Sequence, residues 1–156
     1  MDAVNVLGDE WDEWYWPQRP GYDWRFLAVG RRLGGELLGG SVYELAPGQR
    51  SFPYHWHAAN EELLIVLRGT PTLRSPGGER TLADGDTVVF GRGPAGAHQL
   101  RNDAEEPARV LMLSTRETPE IVEYVDSGKV GLSPGSGGRV RMLSTGAEVD
   151  YWDGEE

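Results

Sequence analysis

Apolar residues between positions 25 and 114 recur in short alternating segments that are separated by turn-forming residues. Alternation at every second position is typical of β-strands, whose side chains point to opposite faces in turn. The pattern predicts strands at 25–29, 37–45, 51–57, 62–68, 71–74, 87–90, 98–102 and 109–114. Short strands at this spacing favour an all-β sandwich or barrel.

Glycine and proline supply most of the separators, including Gly34-Gly35, Pro47-Gly48, Asp84-Gly85 and Gly93-Pro94. The chain has 22 glycines and 10 prolines among 156 residues, and both residue types interrupt helices. The composition therefore disfavours a helix bundle. No window shows an apolar period of 3.6 residues, and at most a short helical turn is expected at 119–124.

The predicted barrel, residues 25–116, is flanked by two extended arms. The N-terminal arm, residues 1–24, is rich in acidic and aromatic residues, among them Trp11, Trp14, Tyr15, Trp16, Tyr22 and Trp24. Such rings favour packing on the barrel or on a second copy of the chain. The C-terminal extension, residues 117–156, is expected to pack in the same way, with extended segments at 140–143 and 149–152.

Charge and residue usage narrow the possible partners. A net charge of −10 without a basic stripe disfavours binding to nucleic acid or to an anionic membrane. The longest purely apolar run, residues 63–67, is too short to span a membrane, and the N-terminus lacks the regions of a signal peptide. We expect a cytoplasmic protein that binds a small molecule. We also expect a homodimer through residues 1–24 and part of 117–156, because an open sheet edge pairs readily.

The candidate chemistry lies in three histidines, since the chain has no cysteine and thiol-based sites are excluded. His55 and His57 are two residues apart in a predicted strand and therefore share a face. Residues 58–60 can turn the chain, which places Glu61 or Glu62 opposite them, and His98 follows about forty residues later. Imidazoles with one carboxylate suit a divalent transition metal such as Fe, Mn, Ni, Zn or Cu. Such a set can leave coordination positions open for water or substrate.

These residues lie in two segments that resemble the paired motifs of the cupin superfamily. The first motif consists of a glycine, H-x-H, a glutamate and a closing glycine, here Gly48, His55, His57, Glu62 and Gly69. The second consists of a glycine, P-x-G, a histidine and an asparagine, here Gly85, Pro94-Ala95-Gly96, His98 and Asn102. The closing spacing of the first motif selects Glu62 over Glu61.

Three spacings depart from the common form of the motifs. Six residues rather than five separate Gly48 from His55, and eight rather than five separate Gly85 from Pro94. One residue rather than two separates Gly96 from His98. An alternative alignment places residues 91–93 at the P-x-G position. The motif spacing therefore leaves two possible alignments for residues 91–97, the loop expected at the mouth of the pocket. The ligand identities are the same in both alignments.

The resemblance implies a double-stranded β-helix, that is, a small jelly-roll barrel like those of small single-domain bacterial cupins. It also implies a metal site inside the barrel, built from His55, His57, Glu62 and His98. Glu62 is in addition a candidate catalytic proton acceptor if it dissociates from the metal. Cupins of this size include dioxygenases, isomerases and lyases, so we expect a metal-dependent enzyme acting on a small polar molecule. The alternative is a non-catalytic module that binds or senses a sugar or a carboxylate.

Strand alternation predicts the surroundings of this site. Glu61 should face outward, whereas Leu64 and Val66 share the face of Glu62 and would form an apolar wall. Further predicted lining residues are Pro53, Phe90, Leu100 and Met112. Asn102 is expected to close a turn through its side chain.

Overall fold

The structure, a computed structural model, describes residues 2–13, 19–135, 138–147 and 149–155. Within these residues it has twelve β-strands and one short α-helix, α1 (Val29–Arg32). The strands are β1 (Trp24–Leu27), β2 (Leu38–Leu45), β3 (His55–His57), β4 (Glu62–Arg68), β5 (Thr72–Ser75), β6 (Gly78–Thr81), β7 (Thr87–Phe90), β8 (Gln99–Arg101), β9 (Ala108–Thr115), β10 (Glu120–Tyr124), β11 (Lys129–Ser133) and β12 (Arg141–Ser144).

The described strands form three antiparallel sheets. The five-stranded sheet has the order β1-β2-β9-β4-β7, the four-stranded sheet the order β12-β11-β10-β3, and the three-stranded sheet the order β6-β5-β8. Strands that are distant in sequence pair within them, as β2 does with β9 and β3 with β10. This arrangement confirms the predicted all-β jelly-roll barrel.

The core packs the five-stranded sheet against the three-stranded sheet. It consists of Leu45, Leu64, Val66, Leu73, Leu82, Phe90, Leu100 and Val110. Leu64 and Val66 on β4 are 0% and 1% exposed, so these two residues mark the face of β4 that is turned toward the core. Because Glu62 precedes Leu64 by two residues, its side chain leaves β4 on the same face. Met112, another predicted lining residue, packs against this core.

Two segments of the C-terminal extension differ from the sequence prediction. The helical turn expected at 119–124 is wrong, because Glu120–Tyr124 forms β10 and pairs with both β3 and β11. Pairing on both sides satisfies the backbone groups of this segment, which a single isolated turn cannot do. The strand expected at 149–152 is also wrong. There the backbone N–H of Asp153 donates to the carbonyl of Asp150 at 3.1 Å and closes a turn.

The described part of the N-terminal arm packs on the five-stranded sheet, as expected for its aromatic residues. The ring of Trp11 lies 4.8 Å from the guanidinium carbon of Arg109 and 5.3 Å from that of Arg25. Arg109 is 7% exposed and donates to the carboxylate of Glu44 at 2.6 Å and to the carbonyl of Gly8 at 2.9 Å. This buried arginine therefore joins the arm to the barrel.

Other expectations about the chain ends stay predictions. These are the division into residues 1–24, 25–116 and 117–156, the homodimer and the cytoplasmic location. Three aromatic residues of the arm lie outside the described residues, namely Trp14, Tyr15 and Trp16. None of the helices in the part of the chain that the structure describes has the length and apolar character of a transmembrane span.

Candidate metal centre

The backbone itself holds two of the predicted ligands together. The backbone N–H of His55 donates to the carbonyl of His98 at 3.3 Å, and that of His98 donates to the carbonyl of His55 at 2.9 Å. The two bonds form an antiparallel bridge, and residues paired in this way project their side chains to the same face. The two imidazole centroids are accordingly 4.6 Å apart.

Glu62, the first residue of β4, faces these rings. Its Oε2 lies 3.0 Å from Nε2 of His98 and 3.4 Å from Nε2 of His57. His55, Glu62 and His98 each offer one ligand atom, and these atoms lie within 4.8 Å of one another. His57 is outside this tight group of three, although it contacts the same carboxylate oxygen and its ring centroid is 5.0 Å from that of His55. The structure thus brings the four predicted ligands to one place.

Hydrogen bonds on the far side of two rings leave their Nε2 atoms available. Nδ1 of His55 lies 2.8 Å from the carbonyl oxygen of Pro53, and Nδ1 of His98 lies 2.9 Å from that of Gly96. A carbonyl oxygen only accepts, so Nδ1 carries the proton in each ring. In the neutral form of each ring, Nε2 then keeps its lone pair, which is the state that a metal ion binds.

Buried polar atoms at the centre of the group lack hydrogen-bond partners. They are Oε2 of Glu62 and both ring nitrogens of His57. Buried polar atoms without partners are costly, and such atoms call for an explanation. Nitrogen and oxygen donors that converge without bonding to one another suit a divalent transition metal. The residues present therefore fit the ion that the motifs imply.

The electrostatics of the group also suit a cation. Burial, followed by the neighbouring His98 and His57, lowers the pKa of His55 to about 4, so its ring is neutral at neutral pH. Burial alone would raise the pKa of Glu62, but His57 and His98 outweigh it and hold that pKa well below its ordinary value. Burial would lower the pKa of His57, but Glu62 and Glu120 outweigh it and raise that pKa above its ordinary value.

Strand alternation separates Glu62 from its neighbour Glu61, as the sequence predicts. The Glu62 side chain is 15% exposed and faces the histidines. Glu61 is exposed, and its backbone N–H donates to Oγ1 of Thr115 at 3.1 Å. The placement agrees with the choice of Glu62 that the motif spacing makes.

The loop before His98 distinguishes between the two alignments of the second motif. Pro94–Gly96 forms a 3-10 turn, and Gly96 packs so closely on the carbonyl of Gly91 that a Cβ would have no room there. The glycine requirement and the bond from His98 to the carbonyl of Gly96 favour the alignment with Pro94-Ala95-Gly96. Asn102 closes the following turn as predicted, with its Oδ1 accepting from the backbone N–H of Ala104 at 3.1 Å.

Sequence reasoning missed Glu120, which is 8% exposed and lies against His57. The alternation of Glu120, Val122 and Tyr124 with Ile121 and Glu123 was the available signal, but it did not identify β3 as the partner strand.

A cavity of about 490 Å³ is lined by Asn60, Thr115 and Glu120, among other residues, and by none of the four predicted ligands.

Comparisons with known proteins relate this chain to cupin-fold proteins. Residues 41–114 match the model of the Cupin_2 family, described as a cupin domain. A putative sugar phosphate isomerase from Acidithiobacillus ferrooxidans is similar in structure, with 27% identity, 83% of this chain and 82% of that chain covered, and a TM-score of 0.76. A sugar phosphate isomerase of the cupin superfamily from Silicibacter pomeroyi has 26% identity, coverage of 82% and 81%, and a TM-score of 0.74.

A more distant structure shows the fold alone. The polyketide cyclase from Streptomyces resistomycificus has 20% identity, covers 77% of this chain and 83% of its own, and has a TM-score of 0.60. The comparison with curated proteins found no match.

Proposed function

We propose that this chain, whose residues 41–114 match a cupin domain, is a metal-dependent cupin enzyme of the isomerase type. Its substrate class would be a small hydroxylated carbonyl compound such as a sugar or a sugar phosphate. The metal ligands would be His55, His57, Glu62 and His98. The single observation that carries the proposal is the convergence of buried, unpartnered nitrogen and oxygen atoms on one point of the barrel.

The isomerase type is preferred because two similar structures are named sugar phosphate isomerases and match over more than four fifths of this chain. A divalent ion would act as a Lewis acid that polarises a substrate hydroxyl or carbonyl oxygen. Isomerisation moves a proton between adjacent carbon atoms and needs no external oxidant or reductant. A divalent ion held by nitrogen and oxygen ligands is sufficient for this reaction, and the ion does not have to be redox-active.

The residues have separate roles in this proposal. His55 and His98 are oriented by the carbonyls of Pro53 and Gly96, and each presents Nε2 to the centre. Glu62 is ionised at neutral pH because its pKa is held low, which makes it a good ligand and a weak base. Glu62 would therefore act as the proton acceptor only after its carboxylate has dissociated from the metal ion.

The test begins with the metal content of protein purified without a metal-affinity tag. Less than about a tenth of an equivalent of any transition metal, with no uptake on reconstitution, overturns the proposal. Protein loaded with Fe(II), Mn(II), Ni(II), Zn(II) or Cu(II) is then assayed with aldose and ketose substrates, each with and without a phosphate group. Keto acids and diketones test the other two types, with oxygen consumption as the readout for a dioxygenase and product formation without oxygen consumption as the readout for a lyase.

Two variants provide the matched comparison in this assay. Glu62→Gln should abolish turnover, whereas Glu61→Gln, the same change one residue away on the exposed face, should retain it. Equal activity in both variants contradicts the proposed site. Thermal stabilisation by a sugar or carboxylate without any product would instead identify the non-catalytic binding module.

A further inference from the structure

We propose that Glu120 is a positioning residue of the metal centre, which orients His57 and fixes the turn between the two histidine ligands and Glu62. Glu120 lies outside residues 41–114, the part of the chain that matches the cupin domain. The C-terminal extension would then contribute a side chain that holds the metal ligands in position. The inference rests on the proposed function, because it concerns how that metal centre is held.

The strand pairing brings Glu120 to the site. β10 runs antiparallel to β3, with Val122 opposite His57 and Tyr124 opposite His55. Residues at every second position share a face, so Glu120, Val122 and Tyr124 project on the face of the two histidines. The ring of Tyr124 stacks on that of His55 with centroids 5.9 Å apart, which is the contact expected from this register.

The carboxylate of Glu120 is fixed by the turn that follows β3. Its Oε1 accepts from the backbone N–H groups of Ala58 and Ala59 at 3.1 and 3.2 Å. The side-chain amide of Asn60 donates to Oε2. Residues 58–61 connect β3, which carries His55 and His57, to β4, which begins at Glu62. A single carboxylate thus ties down the segment that sets the distance between the ligands of the two strands.

Asn60 extends this network into the five-stranded sheet. Oδ1 of Asn60 accepts from Oγ1 of Thr115 at 2.9 Å and from the backbone N–H of Glu117 at 2.7 Å. Asn60 is 8% exposed, so its contact with Glu120 is shielded from solvent. Shielded bonds to a charged group are stronger than exposed ones, and they restrict the carboxylate to one position.

The fixed carboxylate acts on the ring of His57. Oε2 of Glu120 lies 3.8 Å from Nδ1 of His57, while Nε2 of the same ring lies 3.4 Å from Oε2 of Glu62. At 3.8 Å the contact to Nδ1 is electrostatic rather than a hydrogen bond. An oxygen atom on this side of the ring favours a proton on Nδ1 and leaves Nε2 to face the centre. The carbonyls of Pro53 and Gly96 have the same effect on the other two rings.

A double-mutant cycle tests whether Glu120 acts through His57. Co(II) affinity and the visible Co(II) absorption spectrum are measured for the wild type, Glu120→Gln, His57→Ala and the double variant. Loss of a carboxylate that orients a metal-ligating histidine weakens metal binding by about 10- to 100-fold. We expect that loss for Glu120→Gln in the wild-type background, with an altered spectrum. In the His57→Ala background we expect a clearly smaller further loss, because the path through His57 is gone and only the path through the turn at residues 58–60 remains.

The matched control is Glu123→Gln, the same substitution on the opposite face of β10, which should retain wild-type affinity. An equal loss from Glu120→Gln in both backgrounds would mean that Glu120 is only structural and would overturn the inference. A Glu120→Gln protein with the metal affinity and the spectrum of the wild type would also overturn the inference. If Glu120→Gln does not fold, Glu120→Asp enters the same cycle. A wild type that takes up no metal overturns the proposed function, and the inference with it.

Discussion

The ring of Phe90 lies flat on the imidazole of His98, with their centroids 3.9 Å apart and their planes inclined by 8°. Phe90 is 5% exposed and is paired directly with Glu62 across β4 and β7. One apolar residue therefore borders two of the predicted ligands. Together with the bond from Nδ1 to the carbonyl of Gly96, the stacked ring restricts the orientation in which His98 presents Nε2.

Replacement of this ring should affect both stability and metal binding. We expect Phe90→Leu to lower the free energy of unfolding by about 1 kcal/mol, because the volume changes little but the stacking is lost. Metal affinity should fall as well, since His98 gains rotational freedom. Urea denaturation and metal titration measure the two effects. Val89→Leu, at the adjacent position that is 63% exposed, should change neither, and a Phe90→Leu protein that matches it would contradict this account.

Metal affinity should rise with pH in a range set by His57. The pKa of His57 is raised above 6.5, so at lower pH the ring carries a proton that a metal ion must displace. His55, with a pKa of about 4, is already neutral in that range and should contribute no proton. Calorimetric titrations in buffers of different ionisation enthalpy measure the protons released on metal binding. We expect release to shrink in His57→Ala, and an unchanged release would assign the proton to another group.

Arg109 should be the most costly charged residue to remove from the five-stranded sheet. Arg109→Ala leaves the buried Glu44 with one partner fewer and frees the carbonyl of Gly8. Breaking a buried ion pair from one side costs about 3–5 kcal/mol, whereas an exposed pair contributes less than about 1 kcal/mol. Arg25→Ala is the comparison, because Arg25 binds the same Glu44 with a side chain that is 60% exposed.

Chemical denaturation compares the stabilities of these two variants. Limited proteolysis should in addition cut residues 2–13 faster in Arg109→Ala, because the arm loses its anchor. Equal stability losses in the two variants would show that burial of Arg109 does not matter.

The predicted homodimer has a direct test in solution. Val140, Met142 and Leu143, on and beside the edge strand β12, are 53%, 47% and 51% exposed, and an apolar sheet edge favours pairing. Light scattering should give the mass of a dimer for the full chain. Deletion of residues 1–20 should shift that mass toward the monomer, and a monomeric mass that the deletion leaves unchanged rejects the prediction.

Part of the site could be predicted from local signals, whereas the choice of Glu62 over Glu61 and the place of His98 in the ligand set came from the resemblance to the cupin motifs. The two-residue spacing of His55 and His57 places both rings on one face, and the face of Glu62 follows from the alternation with Leu64 and Val66. These are properties of single strands. The all-β class follows in the same way from the number and spacing of such segments, whereas the jelly-roll form was implied by the resemblance to the cupin motifs.

The contribution of β10 could not be predicted because it depends on a partner far away in the sequence. Glu120 contacts Ala58 across 62 residues, and no local pattern encodes that distance. The segment from Glu120 to Tyr124 can form a helical turn or a strand by itself, and pairing with β3 and β11 decides between them. For the same reason the sequence offered no indication that a carboxylate would lie behind His57.

The bridge between His55 and His98 divides the centre into two halves, one held by backbone pairing and the other held by a side chain. Two backbone hydrogen bonds fix the separation of these histidines, so it changes little with the size of a bound ion. Glu62 and His57 are connected to each other by residues 58–61, and the spacing of the two ligands depends on the bonds that Glu120 accepts from that turn. Ions of different radius should therefore be discriminated by the spacing that Glu120 sets, and discrimination between metals should respond to substitutions in the turn more than to changes around the bridge.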